Sequence, residues 1–215
     1  MKRRDFSRQL AGAGLGLGLV SSLARAQGTP VEGQQYVRLQ TPAPVSVPPG
    51  KKVQVVEFFW YGCPHCYAFE PTLEPWAKRL PADVAFDQVP VGFMAPHQLH
   101  QKLFYALEDS GQLAALHRKV FYAIHQQNKR LSSEAEMVAF INASGGDGAK
   151  FSAAFSSFGV NTKVARARQL TEAYKIDGVP AIGVQGRYYT SGSLAGSNER
   201  ALQVADFLIG KARAG

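Results

Sequence analysis

The sequence predicts an α/β fold in which a small sheet is interrupted by an inserted all-helical domain, and three observations predict it. Val53 to Phe59 is a run of β-branched and aromatic residues with the content and length of a buried strand. Just beyond it the period changes: Phe69, Leu73, Trp76 and Leu80 recur at steps of four, three and four, which is one apolar face of a helix. From Pro96 to about Val160 the pattern is helical throughout, and strand signals return only at Ala181.

Residues 1–26 read as an export signal rather than as part of the fold. Lys2, Arg3 and Arg4 form a basic start, Leu10 to Leu23 is apolar but rich in glycine, and Ala24-Arg25-Ala26 is a small-residue cleavage site before Gln27. Fourteen residues of such weak apolarity are too few to span a bilayer. Arg3-Arg4-Asp5-Phe6 resembles a twin-arginine signal, and both that route and the general one stay open. The segment carries five basic groups (Lys2, Arg3, Arg4, Arg8, Arg25) against Asp5, so half of the formal charge of +8 lies there. The remaining +4 on 27–215 suits solubility and does not make a nucleic-acid footprint.

The mature chain follows in order. Residues 27–50 hold five prolines, with 34–39 as the only strand-like piece and 40–50 an extended surface segment. The strand 53–59 and the helix after Cys66 come next, and Pro71 and Pro75 inside that helical pattern predict a kink or a restart. Val84 to Val91 reads as the next strand. In the helical block, Leu99, Leu103 and Leu107 form one stripe with Phe104 beside it, and Leu113, Leu116, Val120 and Ile124 form a second. Ser133 with Glu136 is a capping box opening a third helix, with Met137, Phe140 and Ile141, that stops at Gly145-Gly146. Phe151, Phe155 and Phe158 mark a short fourth, and these stripes are read as plain core. A longer helix, 161–174, returns to the sheet, ended by Lys175-Ile176-Asp177-Gly178. Strands at 181–184 and 187–190 flank Gln185-Gly186, a hairpin signal, and a last helix runs over 197–209. With the helical block removed, the order β-α-β…α-β-β-α is a thioredoxin-like arrangement. The predicted division is 27–95, first half of that domain; 96–160, the insertion; and 161–215, its second half.

The chemistry is concentrated in Cys63-Pro64-His65-Cys66, which holds the only two cysteines of the chain where a buried strand turns into a helix. The first turn of a helix offers unpaired N–H groups and a partial positive charge, which favour a thiolate over a thiol. Cys63 is placed to be the low-pKa nucleophile. Pro64 suits a first helical turn, where its missing N–H has no partner to lose. His65 adds a donor and, when protonated, a charge beside the sulfur. A thiolate so held is a good leaving group, so the disulfide should be a strong oxidant, and Cys66 can resolve a mixed disulfide at Cys63.

Other uses of the pair fit less well. Zinc needs four ligands, and His97 with His100 is the nearest second pair, in a segment that otherwise resembles no zinc module. Haem attachment requires histidine where Tyr67 stands. A structural disulfide closing so small a loop contributes little chain entropy. Redox catalysis is the reading that remains, with no cofactor and no metal, because the electrons travel through sulfur.

Glu57-Phe58-Phe59, Cys63-Pro64-His65-Cys66-Tyr67, Phe69-Glu70 and, far downstream, Gly178-Val179-Pro180-Ala181 together resemble the DsbA family of periplasmic thiol:disulfide oxidoreductases. Order and spacing of segments extend the resemblance over residues 35–212. It implies a thioredoxin-like fold with an inserted helical domain and a cis peptide before Pro180 beside the disulfide, with Val179 facing Cys63. It also implies reduced, unfolded periplasmic proteins as substrates, and re-oxidation by a DsbB-type, quinone-linked membrane oxidase. A proline-edged backbone can pair with an extended substrate chain.

Glu57 is an acid within an apolar strand, where a carboxyl is rare unless paired and its pKa rises. It is read as a buried proton acceptor tuning Cys66. Family members can carry a lysine facing this acid, whereas rough alignment of the next strand places Gln88 there. Trp60 and Tyr61 are expected to reach the surface as an apolar rim that holds unfolded chains, with Phe59 in the core. His97, His100, His117 and His125 are expected to be surface or helix-face residues. The protein is thus read as an exported, monomeric dithiol oxidase. Its rivals are a disulfide isomerase or reductase, for which no dimerisation segment is seen, and a chaperone-like binding module with incidental cysteines.

Overall fold

The computed structural model describes residues 28–214, and the predicted export segment lies outside them. A five-stranded mixed sheet has the order β1-β5-β4-β2-β3. β2 (Val53–Phe59) sits inside it, parallel to β3 (Val84–Pro90) and antiparallel to β4 (Ala181–Val184). Every residue of β2 is buried, Gln54 and Glu57 included, as the continuous apolar run predicts for a strand covered on both faces. β4 turns into β5 (Tyr188–Ser191) through Gln185 and Gly186, both at positive φ, the combination a type I′ turn uses. β5 starts one residue later than predicted. The predicted strand at 34–39 shrinks to β1 (Val37–Arg38), because Gly33, at φ 81°, turns the chain just before it.

Two apolar cores lie on opposite faces of the sheet. Val53, Val55 and Ile182 pack with Phe69, Leu73 and Trp76 of α1 (Pro64–Lys78) and Leu202, Ala205 and Leu208 of α8 (Asn198–Arg213). Val56 and Phe58 belong to the other core, shared with the helical block. Each fully buried Leu or Phe contributes about 1.5–3 kcal/mol of transfer free energy. α1 runs unbroken through Pro71 and Pro75, so it is not restarted. Both prolines are on its exposed side, where water can satisfy the carbonyls they leave without an N–H donor.

The insertion consists of α2 (Ala95–Asp109), α3 (Leu113–His125), α4 (Glu134–Ala143) and α5 (Gly148–Phe155). The Ser133 hydroxyl caps α4 by accepting from the Glu136 N–H, and the Glu136 carboxylate accepts from the N–H of Ser132, one residue earlier than a strict capping box. Phe158 does not belong to α5. It opens α6 (Phe158–Ala173) at 86% exposure, since Ser157 caps a new helix there, three residues before the predicted start. A short helix, α7 (Gly192–Ala195), precedes α8 and is not evident from periodicity. Among the described residues no helix is long and apolar enough to cross a membrane.

Candidate active site

Cys63 is the N-cap of α1 and Pro64 its first residue, so the sulfur itself does what a serine or aspartate side chain usually does at this position. Its Sγ accepts from the Cys66 N–H at 3.3 Å, and both cysteines are free thiols. The Cys63 pKa is lowered to about 6, chiefly by a hydrogen bond from the Cys66 thiol, against the opposing effect of burial. Backbone N–H groups of Cys66 and His65 add to it, and the charge of His65, exposed at the helix start, contributes least. Cys66 is completely buried. Burial pushes its thiol far upward, helped by the Cys63 interaction and, when Glu57 is ionised, by that carboxylate. One sulfur is therefore poised as thiolate and the other held as thiol.

The second half of the sheet domain brings the Val179–Pro180 bond to the same place, and that bond is cis. The group of Val179 that reaches the nucleophile is its carbonyl, 3.5 Å from Cys63 Sγ. His65, Val179, Pro180, Tyr189 and Leu194 line a groove of about 490 Å³ there.

Glu57 is fully buried, and the strand register sets it opposite Gln88, as the alignment predicts. Gln88 Nε2 donates to Glu57 Oε2 at 2.8 Å, while Glu57 Oε1 has no partner. Burial raises this carboxyl well above the usual range, and the nearby Glu70 raises it further against the Gln88 bond. Glu70, noted in the sequence only as a motif residue, is itself buried on α1 within 3.3 Å of the same Gln88 nitrogen.

Three expectations are corrected here. Tyr61 does not reach the surface: its ring is fully buried against Phe59 and Phe121, and its hydroxyl lies 2.7 Å from His117 Nδ1. Burial raises the phenol well above its usual range, so the proton stays on oxygen. Nor is His117 a surface residue. Its Nε2 is 3.4 Å from Glu70 Oε1 and 3.3 Å from Gln88 Nε2, so the helical insertion closes the polar cluster beneath the cysteines. The signal was present, for His117 falls on the same helical stripe as Leu113, Leu116, Val120 and Ile124. His97 and His100 are buried as well, the first stacked on Trp60 at 3.9 Å. His125 is half-buried, stacked on Tyr67 at 4.9 Å, with Nε2 2.8 Å from the Tyr61 carbonyl. Trp60 is half-buried beside the site. Among the described residues no three His, Cys, Asp or Glu side chains are gathered so as to hold a metal ion.

A sequence profile of the DSBA-like thioredoxin domain matches residues 54–202. The chain belongs to the DsbA family of thiol:disulfide interchange proteins. Thiol:disulfide interchange protein DsbA of Bordetella pertussis is 45% identical over 215 residues, covering 99% of this chain and 100% of the relative. The DsbA of Pseudomonas aeruginosa is 42% identical over 182 residues, 85% of each chain. The crystal structure of P. aeruginosa DsbA superimposes with a TM-score of 0.82 at 44% identity, covering 86% of this chain and 95% of that one. The Xylella fastidiosa oxidoreductase DsbA gives 0.80 at 30% identity over 87% of this chain and 100% of that one. The family is therefore that of the resemblance, and so is the fold: a thioredoxin-like sheet with a helical insertion.

Proposed function

We propose that this thiol:disulfide oxidoreductase donates its Cys63–Cys66 disulfide to pairs of thiols in reduced, newly exported polypeptides. A substrate thiolate attacks Cys63 Sγ, forming a mixed disulfide as the Cys63–Cys66 bond breaks. The electron pair leaves on Cys66, which takes a proton, and protonated Glu57 is the adjacent acid able to give it. A second substrate thiolate then attacks the substrate sulfur and releases Cys63 as thiolate. The substrate loses two electrons to form a disulfide, and the protein gains them as a dithiol.

The observation that carries this direction is the difference between the two sulfurs: a leaving group held near pKa 6 at a helix N-cap stabilises the reduced protein and makes its disulfide oxidising. In this reading residues 1–26 are removed on export to the periplasm, and Val179 and Pro180 present backbone to the substrate chain. Trp60 lies at the rim and Tyr61 supports from below. The protein acts as a monomer, and a quinone-linked membrane oxidase of the DsbB type restores the disulfide. The family resemblance and the basic, apolar start of the chain support these points.

The test is the reduction potential of the pair, measured by equilibrating mature protein with glutathione buffers and trapping free thiols. A value near the DsbA reference of about −120 mV is expected; one near the thioredoxin reference of about −270 mV would overturn an oxidase in favour of a reductase.

A further inference from the structure

A second groove, of about 930 Å³, begins at Gly62, next to Cys63, and runs between Trp60 and the insertion. Its apolar wall is Trp60, Pro96, Leu99 and Ile124; its charged rim is Lys129 and Arg130, and no acid lines it. Lys129 Nζ lies over the Phe140 ring at 5.5 Å, so part of its charge is engaged elsewhere. The Arg130 guanidinium makes no ion pair among the described residues. Two buried polar atoms of the groove's own residues lack partners, Trp60 Nε1 and His100 Nδ1. His100 Nε2 lies 3.2 Å from the Arg130 carbonyl and so carries the N–H, which leaves Nδ1 as an acceptor. Burial lowers the His100 pKa and keeps the ring neutral. Both atoms lie below the groove's surface, so what the groove offers a chain is its apolar wall and its cationic rim beside Cys63.

We infer that this groove is a subsite for the client polypeptide, taking an apolar stretch with acidic side chains next to the cysteine that reacts at Cys63. The inference rests on the oxidase reading and adds a substrate preference to it. Apolar side chains lie along Leu99, Ile124 and Trp60, and a carboxylate faces Arg130. His65 and Val179 line the other groove, so the loop 60–63 and the first turn of α1 divide the two, and a chain crossing Cys63 can use both.

The test uses two reduced peptides of identical apolar sequence and one cysteine pair, flanked in one by aspartates and in its twin by lysines. Single-turnover oxidation by excess disulfide-form protein is followed over a concentration range. At low salt the acidic peptide should reach half-maximal rate at a concentration at least about threefold lower than its twin, as expected for unscreened surface charge pairs, and the advantage should vanish at about 1 M salt. Arg130→Glu, an exposed substitution, should abolish the advantage of the acidic peptide, because the new carboxylate and Lys129 cancel on the rim. An unchanged advantage in Arg130→Glu, or equal half-saturation by wild-type protein, would overturn the subsite while leaving the oxidase reading intact. If wild-type protein oxidises neither peptide, both readings fall.

Discussion

Replacing Cys66 with alanine removes the hydrogen-bond donor that does most to hold Cys63 as a thiolate. A hydrogen bond to a charged acceptor contributes about 1.5–3 kcal/mol and one pKa unit corresponds to about 1.4 kcal/mol, so the Cys63 midpoint should rise by about 1 to 2 units. That carries it from about 6 to between about 7 and 8. Cys66→Ser keeps a hydroxyl donor on the same backbone and should stay close to about 6. The backbone N–H of residue 66 remains in both variants, so neither should return to the free thiol value of about 8.5. The same arithmetic sets the oxidising power: with Cys63 at about 6 rather than about 8.5, the reduced form gains about tenfold at pH 7, or about 1.4 kcal/mol. The assay is the ultraviolet absorbance of the thiolate as reduced protein is titrated, checked against the pH dependence of alkylation. A Cys66→Ala midpoint no higher than wild type would show that the helix terminus alone holds the charge. A wild-type midpoint near about 8.5 would refute the whole account of the nucleophile.

Three other outcomes are expected. In reduced protein the folded Cys63 pKa lies below the unfolded one, so the thiolate favours the folded state fully above about pH 8.5 and the gain is lost as pH falls through about 6. Denaturant unfolding of the reduced form at about pH 5, 7 and 9 should show a stability contribution, absent from the disulfide form, that grows between the first and last values; parallel curves for the two forms would count against it. His117→Ala strips partners from the Tyr61 hydroxyl and from Glu70 and should cost about 1–3 kcal/mol by urea midpoint, with His117→Gln recovering part; a neutral result would mean water replaces the imidazole freely. Gly183→Ala would place a Cβ 2.5 Å from the buried Tyr174 ring, whose hydroxyl accepts from the Gly186 N–H, so the ring has little freedom to yield. About 1–3 kcal/mol of destabilisation should follow, and an unchanged unfolding midpoint would show that the ring moves after all.

Much of the site was legible because it is local. A strand, a four-residue loop and a helix follow one another without a break, so Cys63 could be placed at the helix start from periodicity alone. Glu57 was legible for a related reason, since an acid in an apolar run has nowhere to go but inside. Gln88 came from counting along the next parallel strand, where register is regular. Tyr61 failed because the residue after a strand can turn either way, and which way depends on whether a cavity lined by Phe59, Phe104 and Phe121 exists to receive it. His117 failed because histidine on a helix is compatible with either face, and residue type outweighed the stripe on which it fell.

Taken alone, the sequence determined the chemistry: two thiols at a strand-to-helix turn, a buried acid beneath them, and a proline-edged strand returning late in the chain. It also determined the class of fold, because a period of two or of 3.6 is written in consecutive residues. Only the tertiary structure decided which distant groups meet the sulfurs. Glu70, Gln88 and His117 come from a helix, a strand and the insertion, and no local pattern encodes their meeting. The same holds for the cationic groove beside Trp60, which exists because two helices of the insertion end next to the catalytic loop. Contacts between segments far apart in sequence are fixed by packing of whole elements, and that packing is the information a linear pattern does not carry.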